Sequence, residues 1–503
     1  MIKTKIYGAP GTGKTTRMLE LLKEEIAAGT PVENIAFVTH TVAARKEAVD
    51  RTQMQEDKLR FFRTIHGICY AQMGITKRFV MQPSDYLDFG ESIGKKFSVN
   101  FTRDTDIDGL PYGFAHSPGN DILAVRQMAA AKLCKITDVL ETWPQEVAHD
   151  DMRKILEQYR AWKATNSKFD FVDMLQMYAH KGGPIDAKVG FIDEAQDLSL
   201  QQWAIVEKMM AKVDRLYIAG DDDQSIYAFI GADRYGFLDY NTDRDEILPK
   251  TWRLKDDIWR HAKRIIKRVS KRKPKEIETN GAGGEIDYYN CDVSRVPLSS
   301  NESTMFISRH NGQLDNLAEE LEQRGIPFDG RGWQPYGSTA VRAIKAYLAL
   351  RKGQPVLLRD AATVLDRIGD KSGGNVLRSS ARKSKEETTT ELPGVNLEAD
   401  WVRYLAKTSS DVTNNQTIRT ILNSVGWPGV LEPPKVSLST YHGSKGRQAD
   451  HVVLLTDCYR KAYDSARMDP DDEARVAYVG VTRAKNRLSI ILPKTEMYMR
   501  SML

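Results

Sequence analysis

"MIKTKIYGAPGTGKTTRMLELL", residues 1–22, decides the fold. The run KIYG, residues 5–8, reads as the end of a strand, and a helical pattern begins at about Lys14. Between them Gly8, Ala9, Pro10, Gly11, Thr12, Gly13, Lys14 and Thr15 satisfy G-x-x-x-x-G-K-[ST], followed by Thr16. A glycine-rich loop in that position curls so that successive backbone N–H groups face phosphate oxygens, and the helix N-terminus adds partial positive charge. The spacing predicts that Lys14 reaches the β- and γ-phosphates of a bound nucleotide and that Thr15 gives its hydroxyl to Mg²⁺.

Such a loop needs a carboxylate at the end of a neighbouring strand. VGFIDEAQD, residues 189–197, supplies Asp193 to hold the metal and Glu194 to orient or deprotonate an attacking water. Strand and helix patterns alternate through NIAFVT (34–39) with a helix across VAARKEAVD (42–50), then resume at VGFI and RLYIAG (215–220). STMFISRHN (303–311), KVSLSTYHGSKG (435–446), DHVVLLTD (450–457) and NRLSIILP (486–493) supply strands of a second sheet. The expected fold class is therefore α/β with two parallel-sheet cores, each interrupted by an insertion. The first core takes residues 1–74 and 166–250, with a helical subdomain at 75–165. The second takes 251–354 and 434–503, with a reduced insertion at 355–433. Its polar stretch GDKSGGNVLRSSARKSKEETTTELPG (369–394) reads as a surface loop or partly disordered segment.

The bulk numbers bound the partners. A chain of 503 residues exceeds one core. Its 73 basic and 68 acidic residues leave a net charge of +5, so any nucleic-acid site is a local groove. Cys69, Cys134, Cys291 and Cys458 lie too far apart for a zinc motif and read as buried thiols in a reducing compartment. No apolar run reaches membrane-spanning length, and MIKTKIYG leaves no room for a signal peptide, so a cytoplasmic protein is expected.

Later motifs narrow the class. GDDDQSIYAFIGA (220–232), TYHGSKG (440–446) and AYVGVTRAK (477–485), together with the phosphate loop and FIDEAQD, resemble in order and spacing the superfamily 1 helicases of the UvrD/Rep/PcrA type. The resemblance implies two RecA-like cores and an ATP-dependent motor that moves 3′-to-5′ on single-stranded DNA and unwinds duplex. The cofactors are ATP and Mg²⁺, and the partners single-stranded and duplex-junction DNA with replication or repair proteins. A bacterial cytoplasm or phage-infected cell is the implied setting.

Residue by residue, the resemblance implies that Gln224 senses the γ-phosphate and that Tyr227 and Phe229 stack on bases. In TWRLKDD (251–257), Trp252 would stack on adenine and Arg253 would reach the γ-phosphate, with Arg483 as a second arginine. Both arginines lie beyond the first core, which places the nucleotide in the cleft between cores. Thr39, His40, Thr64 and His66 match the first-core strand contacts, and Thr440, His442 and Lys445 the second-core ones. His40 stands where the family often has phenylalanine, and Gln448 stands near the ribose in place of an acidic residue. Seven residues precede Gly8, so the family's upstream glutamine segment is expected to be absent and base recognition to rest on Trp252. RIGDKSGG (367–374) resembles a glycine turn that relatives place on duplex backbone. The acidic run 221–223 is expected at the edge of the nucleotide cleft, with magnesium tempering its repulsion of phosphate. An RNA track, or an ATP switch that remodels bound protein without unwinding, remain as alternatives; a small-molecule kinase or GTPase would not need the paired aromatics.

Overall fold

A computed structural model of the chain describes residues 1–39, 58–97, 118–141, 149–330, 339–368, 370–383, 386–392, 394–397 and 432–502, with positions 45, 49, 50, 54, 143 and 424 between them. The chain divides into two compact units. One is Met1–Gly283 with Asp469–Thr482, and the other is Gly284–Met468 with Arg483–Leu503.

The first unit is built on six parallel strands: β1 (Ile2–Tyr7), β2 (Ile35–Thr39), β3 (Phe61–Thr64), β4 (Val189–Ile192), β5 (Arg215–Gly220) and β6 (Arg244–Ile247). Their order is β3-β2-β4-β5-β1-β6. β2 and β4 are buried along their whole length, as helices on both faces require. On one face the rings of Phe62, Phe37, Phe191 and Tyr217 stack in a row, with successive centroids 5.6, 5.6 and 5.0 Å apart. The apolar stripe Met18, Leu19 and Leu22 of helix Lys14–Ala27 joins that cluster. Helices Phe171–Lys181 and Leu200–Met209 bury Tyr178, Val206 and Met209 with the opposite face. Burial of both faces holds the strand ends still, and ligands of such sheets bind outside the carboxyl ends.

Helices Pro83–Ser92, Pro118–Ala131, Ile136–Leu140 and His149–Thr165 share a separate core around Phe89, Val125 and Tyr159, within the span expected for the first insertion. The expected helix at 42–50 lies mostly outside the described residues.

The second unit contains β7 (Glu285–Tyr289), β8 (Thr304–Ser308) and β9 (Phe328–Asp329), a short antiparallel pair β10 (Val356–Leu357) and β11 (Thr388–Thr389), then β12 (Val436–Thr440), β13 (Ala449–Leu455) and β14 (Ala484–Ile491). Its main sheet is parallel, in the order β7-β14-β13-β8-β12-β9.

Two expectations change. The stretch read as a surface loop is helical over Lys371–Lys383, following the helix Leu358–Ile368. Its polar composition hides the helix because the contact is partly ionic: Arg378 Nη2 donates to Asp366 Oδ1 at 3.0 Å. A Cβ on Gly374 would also meet that oxygen at 2.3 Å, so the glycine lets the two helices close up. The segment likened to a glycine turn, residues 367–374, spans the junction of these two helices, where Asp370 Oδ1 accepts from Gly373 N at 2.9 Å, with Gly369 outside the described residues. The first unit also runs past the expected boundary at residue 250 to Gly283. Helix Asp256–Ile266 stays with it by packing on helix Pro470–Val481, where Trp259 and Tyr478 meet edge to face at 6.5 Å.

Candidate nucleotide and nucleic-acid site

The phosphate loop takes the expected form. Gly11 and Gly13 have φ of 77° and 83°, a region that favours glycine, and Gly13 precedes the helix without a side-chain cap. A Cβ on Gly8 would meet Thr12 Oγ1 at 2.3 Å, and Thr12 Oγ1 donates to the Ala9 carbonyl at 2.9 Å. Pro10 is held from outside, its carbonyl accepting from Thr251 Oγ1 at 2.7 Å. Lys14 Nζ donates to the Gly8 carbonyl at 3.0 Å, so the ammonium lies folded over the loop. Thr16 follows as the third residue of the helix.

Thr15 Oγ1 donates to Asp193 Oδ2 at 2.8 Å, bringing the two expected metal ligands together. Burial, with Glu194 adding to it, raises the Asp193 carboxyl to about 6. Glu194 takes left-handed backbone, φ 54° and ψ 39°, uncommon for a side chain with a Cβ. Gln196 Nε2 donates to Glu194 Oε2 at 2.6 Å, while Gln196 Oε1 accepts from Asp221 N at 2.9 Å. One buried amide therefore joins the end of β4 to the end of β5.

Beyond β5 the acidic run is not a metal site. Asp221, Asp222 and Asp223 place carboxylate oxygens within 4.8 Å of one another, a spacing that would suit a cation. Lys275 occupies the middle, with Nζ at 2.9 Å from Asp221 Oδ1, 2.6 Å from Asp222 Oδ1 and 2.8 Å from Asp223 Oδ2. Arg272 pairs with both oxygens of Asp223, at 2.7 and 2.6 Å. The backbone N–H of Lys273 donates to Asp222 Oδ2 at 2.7 Å. Burial pushes the Asp222 carboxyl up against the pull of Lys275. Asp221 stays below its ordinary range because Lys275 and Lys14 outweigh burial. The expectation that magnesium tempers this run is thus corrected, since protein cations neutralise it. Gln224 Nε2 donates to Asp221 Oδ2 at 2.7 Å.

Trp252 and Arg253 are built onto the phosphate loop rather than onto the second unit. Trp252 N donates to the Gly11 carbonyl at 2.9 Å, and the residue is 66% exposed, with Lys250 Nζ 4.8 Å from the ring centroid. A Cβ on Gly11 would meet Arg253 Cβ at 2.4 Å. Arg253 Nη1 reaches the Thr482 carbonyl at 3.5 Å, and its buried Nε has no hydrogen-bond partner among the described residues. Burial lowers the guanidinium from its ordinary value, with Glu194 opposing. An oriented, desolvated guanidinium beside the loop has the chemistry to receive a phosphate oxygen. Arg483 belongs to the second unit, buried, with Nη1 donating to the Arg447 carbonyl at 3.2 Å. Gln448 is exposed one residue before β13.

The expected strand contacts divide by burial. Thr39 and Thr64 are register partners at the ends of β2 and β3, and both are buried. Thr64 Oγ1 accepts from Gly67 N at 3.1 Å and so caps helix Ile65–Gln72. His66, also buried, meets Phe171 edge to face at 5.5 Å, and His40 lies outside the described residues. Phe229 is 50% exposed whereas Tyr227 is 8% exposed, their rings 6.4 Å apart. In the second unit, Thr440 Oγ1 accepts from Gly443 N at 3.0 Å, which folds His442 and Lys445 into one turn after β12.

Known proteins match this arrangement. The UvrD/REP helicase N-terminal domain model matches residues 2–245, and the UvrD-like helicase C-terminal domain model matches residues 375–495. The chain belongs to the UvrD/Rep helicase family. The ATP-dependent DNA helicase PcrA of Staphylococcus epidermidis is 23% identical over 384 residues, 68% of this chain and 51% of that protein. PcrA of Staphylococcus aureus strain Mu50 is 25% identical over 391 residues, 69% and 51% respectively. This UvrD/Rep-type chain thus spans about half the length of the curated relatives it matches. A solved arterivirus nonstructural protein 10 helicase covers 100% of the chain and 62% of its own at 11% identity, with a TM-score of 0.35.

For this helicase-family chain, sequence reading missed Gln196, Thr251 and Lys275. Gln196 stood in view inside FIDEAQD. Lys275 lies in the basic run KRKPK (271–275), which by composition reads as a solvated face. Cys69 and Cys458 are buried as expected, but Cys134 and Cys291 are only half-buried. Among the described residues, no helix is long and apolar enough to cross a membrane.

Proposed function

We propose that the chain is an ATP-driven DNA motor that moves on a single strand and separates duplex, 3′-to-5′ as its family implies, in a cytoplasmic setting. The observation that carries this reading is one continuous path in the first unit. The Thr15–Asp193 pair and Arg253, whose buried Nε lacks a partner among the described residues, lie at one end, and Gln196 connects Glu194 to the turn that presents Phe229.

The donor set suits a hard cation, since Thr15 and Asp193 offer oxygen atoms that already touch. Mg²⁺ bound there would supply positive charge to the phosphate oxygens. Around it, the loop N–H groups and Lys14 bind the triphosphate, and Trp252 stacks its exposed ring on the adenine. Glu194, held by Gln196, orients the attacking water and takes its proton at a carboxylate oxygen. Arg253 meets charge developing on the transferred phosphoryl group, and the family assigns Arg483 as the second such arginine. Phe229 stacks on bases without reading sequence, Tyr227 supports it, and Thr440, His442 and Lys445 hold the strand's phosphates, while buried Thr39, Thr64 and His66 shape the first-unit surface beneath the strand.

Strand displacement on duplexes with 3′ or 5′ tails, made of DNA and of RNA, tests the proposal. Displacement restricted to 3′-tailed DNA is expected. Strand-stimulated ATP turnover without displacement would favour a protein-remodelling switch, and displacement on RNA alone would replace the track.

A further inference from the structure

We propose that Lys275 is a positioning residue that couples nucleotide turnover to the strand, standing as an internal cation among three aspartates. The inference rests on the proposed motor function. Lys275 is fully buried at its side chain, and its ammonium donates to Asp222 and Asp223 and pairs with Asp221, three carboxylates from consecutive residues. Arg272 Nε and the Lys273 backbone N–H donate to the second oxygens of Asp223 and Asp222, so one short segment closes around the run.

Asp221 is the hub of this arrangement. Its N–H donates to Gln196, whose amide holds Glu194, and its other carboxylate oxygen accepts from Gln224 Nε2. Gln224 N also donates to the Asp221 carbonyl at 2.9 Å, and Ser225 Oγ donates to the Gln196 carbonyl at 3.1 Å. Tyr227 and Phe229 follow within five residues of Gln224. Asp221 therefore ties the two sides together, its N–H to the water-orienting side and its carboxylate to the turn that carries the base-stacking side. Removing the ammonium leaves three buried carboxylates that cannot all remain ionised at that spacing, so Asp221 must reorient or bind a proton.

The test compares ATP turnover with and without single-stranded DNA in the full chain and in Lys275→Met/Asp222→Asn, which removes one charge of each sign. In the pair we expect a cooperative melt near that of the wild type, and a loss of roughly tenfold in the stimulated-to-basal ratio. The nucleotide KM should stay within about twofold, since no phosphate contact is removed. A ratio equal to the wild type's overturns the inference and leaves the motor reading intact. An unstimulated wild type overturns both. If the pair fails to fold, Lys275→Ala in methylammonium chloride is compared with the same variant in tetramethylammonium chloride. Stimulation recovered only with methylammonium supports an ammonium site, and equal behaviour in the two salts overturns it.

Discussion

Gln196 donates from Nε2 to Glu194 Oε2 at 2.6 Å and so holds a carboxylate whose backbone is in the left-handed region. Unsupported, such a backbone costs on the order of 1–3 kcal/mol and would relax. Gln196→Ala should therefore lower kcat by about 10- to 100-fold, with little change in the nucleotide KM, because the lost contact orients water rather than binding phosphate. Steady-state ATP hydrolysis checks this; a KM effect with unchanged kcat would place Gln196 elsewhere.

Lys14 lies folded on the Gly8 carbonyl, next to the loop that Thr251 clamps. Lys14→Ala should reduce ATP turnover by at least about 10²–10³-fold, as loss of a charge-stabilising donor does. Single-strand binding in filter or anisotropy assays should persist. Strand-stimulated hydrolysis at the wild-type rate would remove the phosphate-loop assignment.

The Trp252 ring is exposed while its backbone is tied to Gly11, so its indole contributes little to packing. Trp252→Ala should leave the melting temperature nearly unchanged and raise the ATP KM by about tenfold, the scale of one lost stacking contact. The effect should be smaller for nucleotides with pyrimidine bases, which offer less area to stack.

Phe229 exposes half its surface and Tyr227 almost none. Phe229→Ala should weaken single-strand affinity by about 1–3 kcal/mol, the value of one base-stacking contact, at little cost in stability. Tyr227→Ala should instead lower the melting temperature. Reversal of these two outcomes in paired melting and binding measurements would exchange the roles.

His451 lies buried on β13, its Nε2 2.8 Å from Ser489 Oγ, and burial, with Arg487 adding to it, lowers its pKa to about 4. The unfolded chain then takes up the proton first as pH falls. The stabilising contribution is fully present above about pH 6.5 and declines as pH drops toward about 4. His261 shifts the same way, to about 4, by burial and then Arg264. Between about pH 7 and 5 the His451 site alone should contribute a loss of about 2 kcal/mol to denaturant stability. His451→Gln should flatten that slope, and an unchanged slope would show that the proton binds elsewhere.

Local patterning was legible because it repeats at short range. The buried strands β2 and β4 read as continuous apolar runs, and the phosphate loop sits between its strand and helix as the spacing requires. The second insertion was misread because Lys371–Lys383 carries few apolar residues among two glycines, three serines and four basic residues, and its helix is held partly by Arg378–Asp366 and a close glycine approach. Trp252 and Arg253 were assigned to the wrong unit because the clamp on Pro10 and Gly11 joins residues more than 200 positions apart.

The order of the residues was enough to establish the alternation of strands and helices, the phosphate cradle and the family, since each depends on neighbours a few positions apart. Only the tertiary structure decided which charges meet. Asp221, Asp222 and Asp223 could have faced water, a metal or a phosphate. They face Lys275, more than 50 residues onward, because folding buries all four groups together, and a buried carboxylate must find a cation.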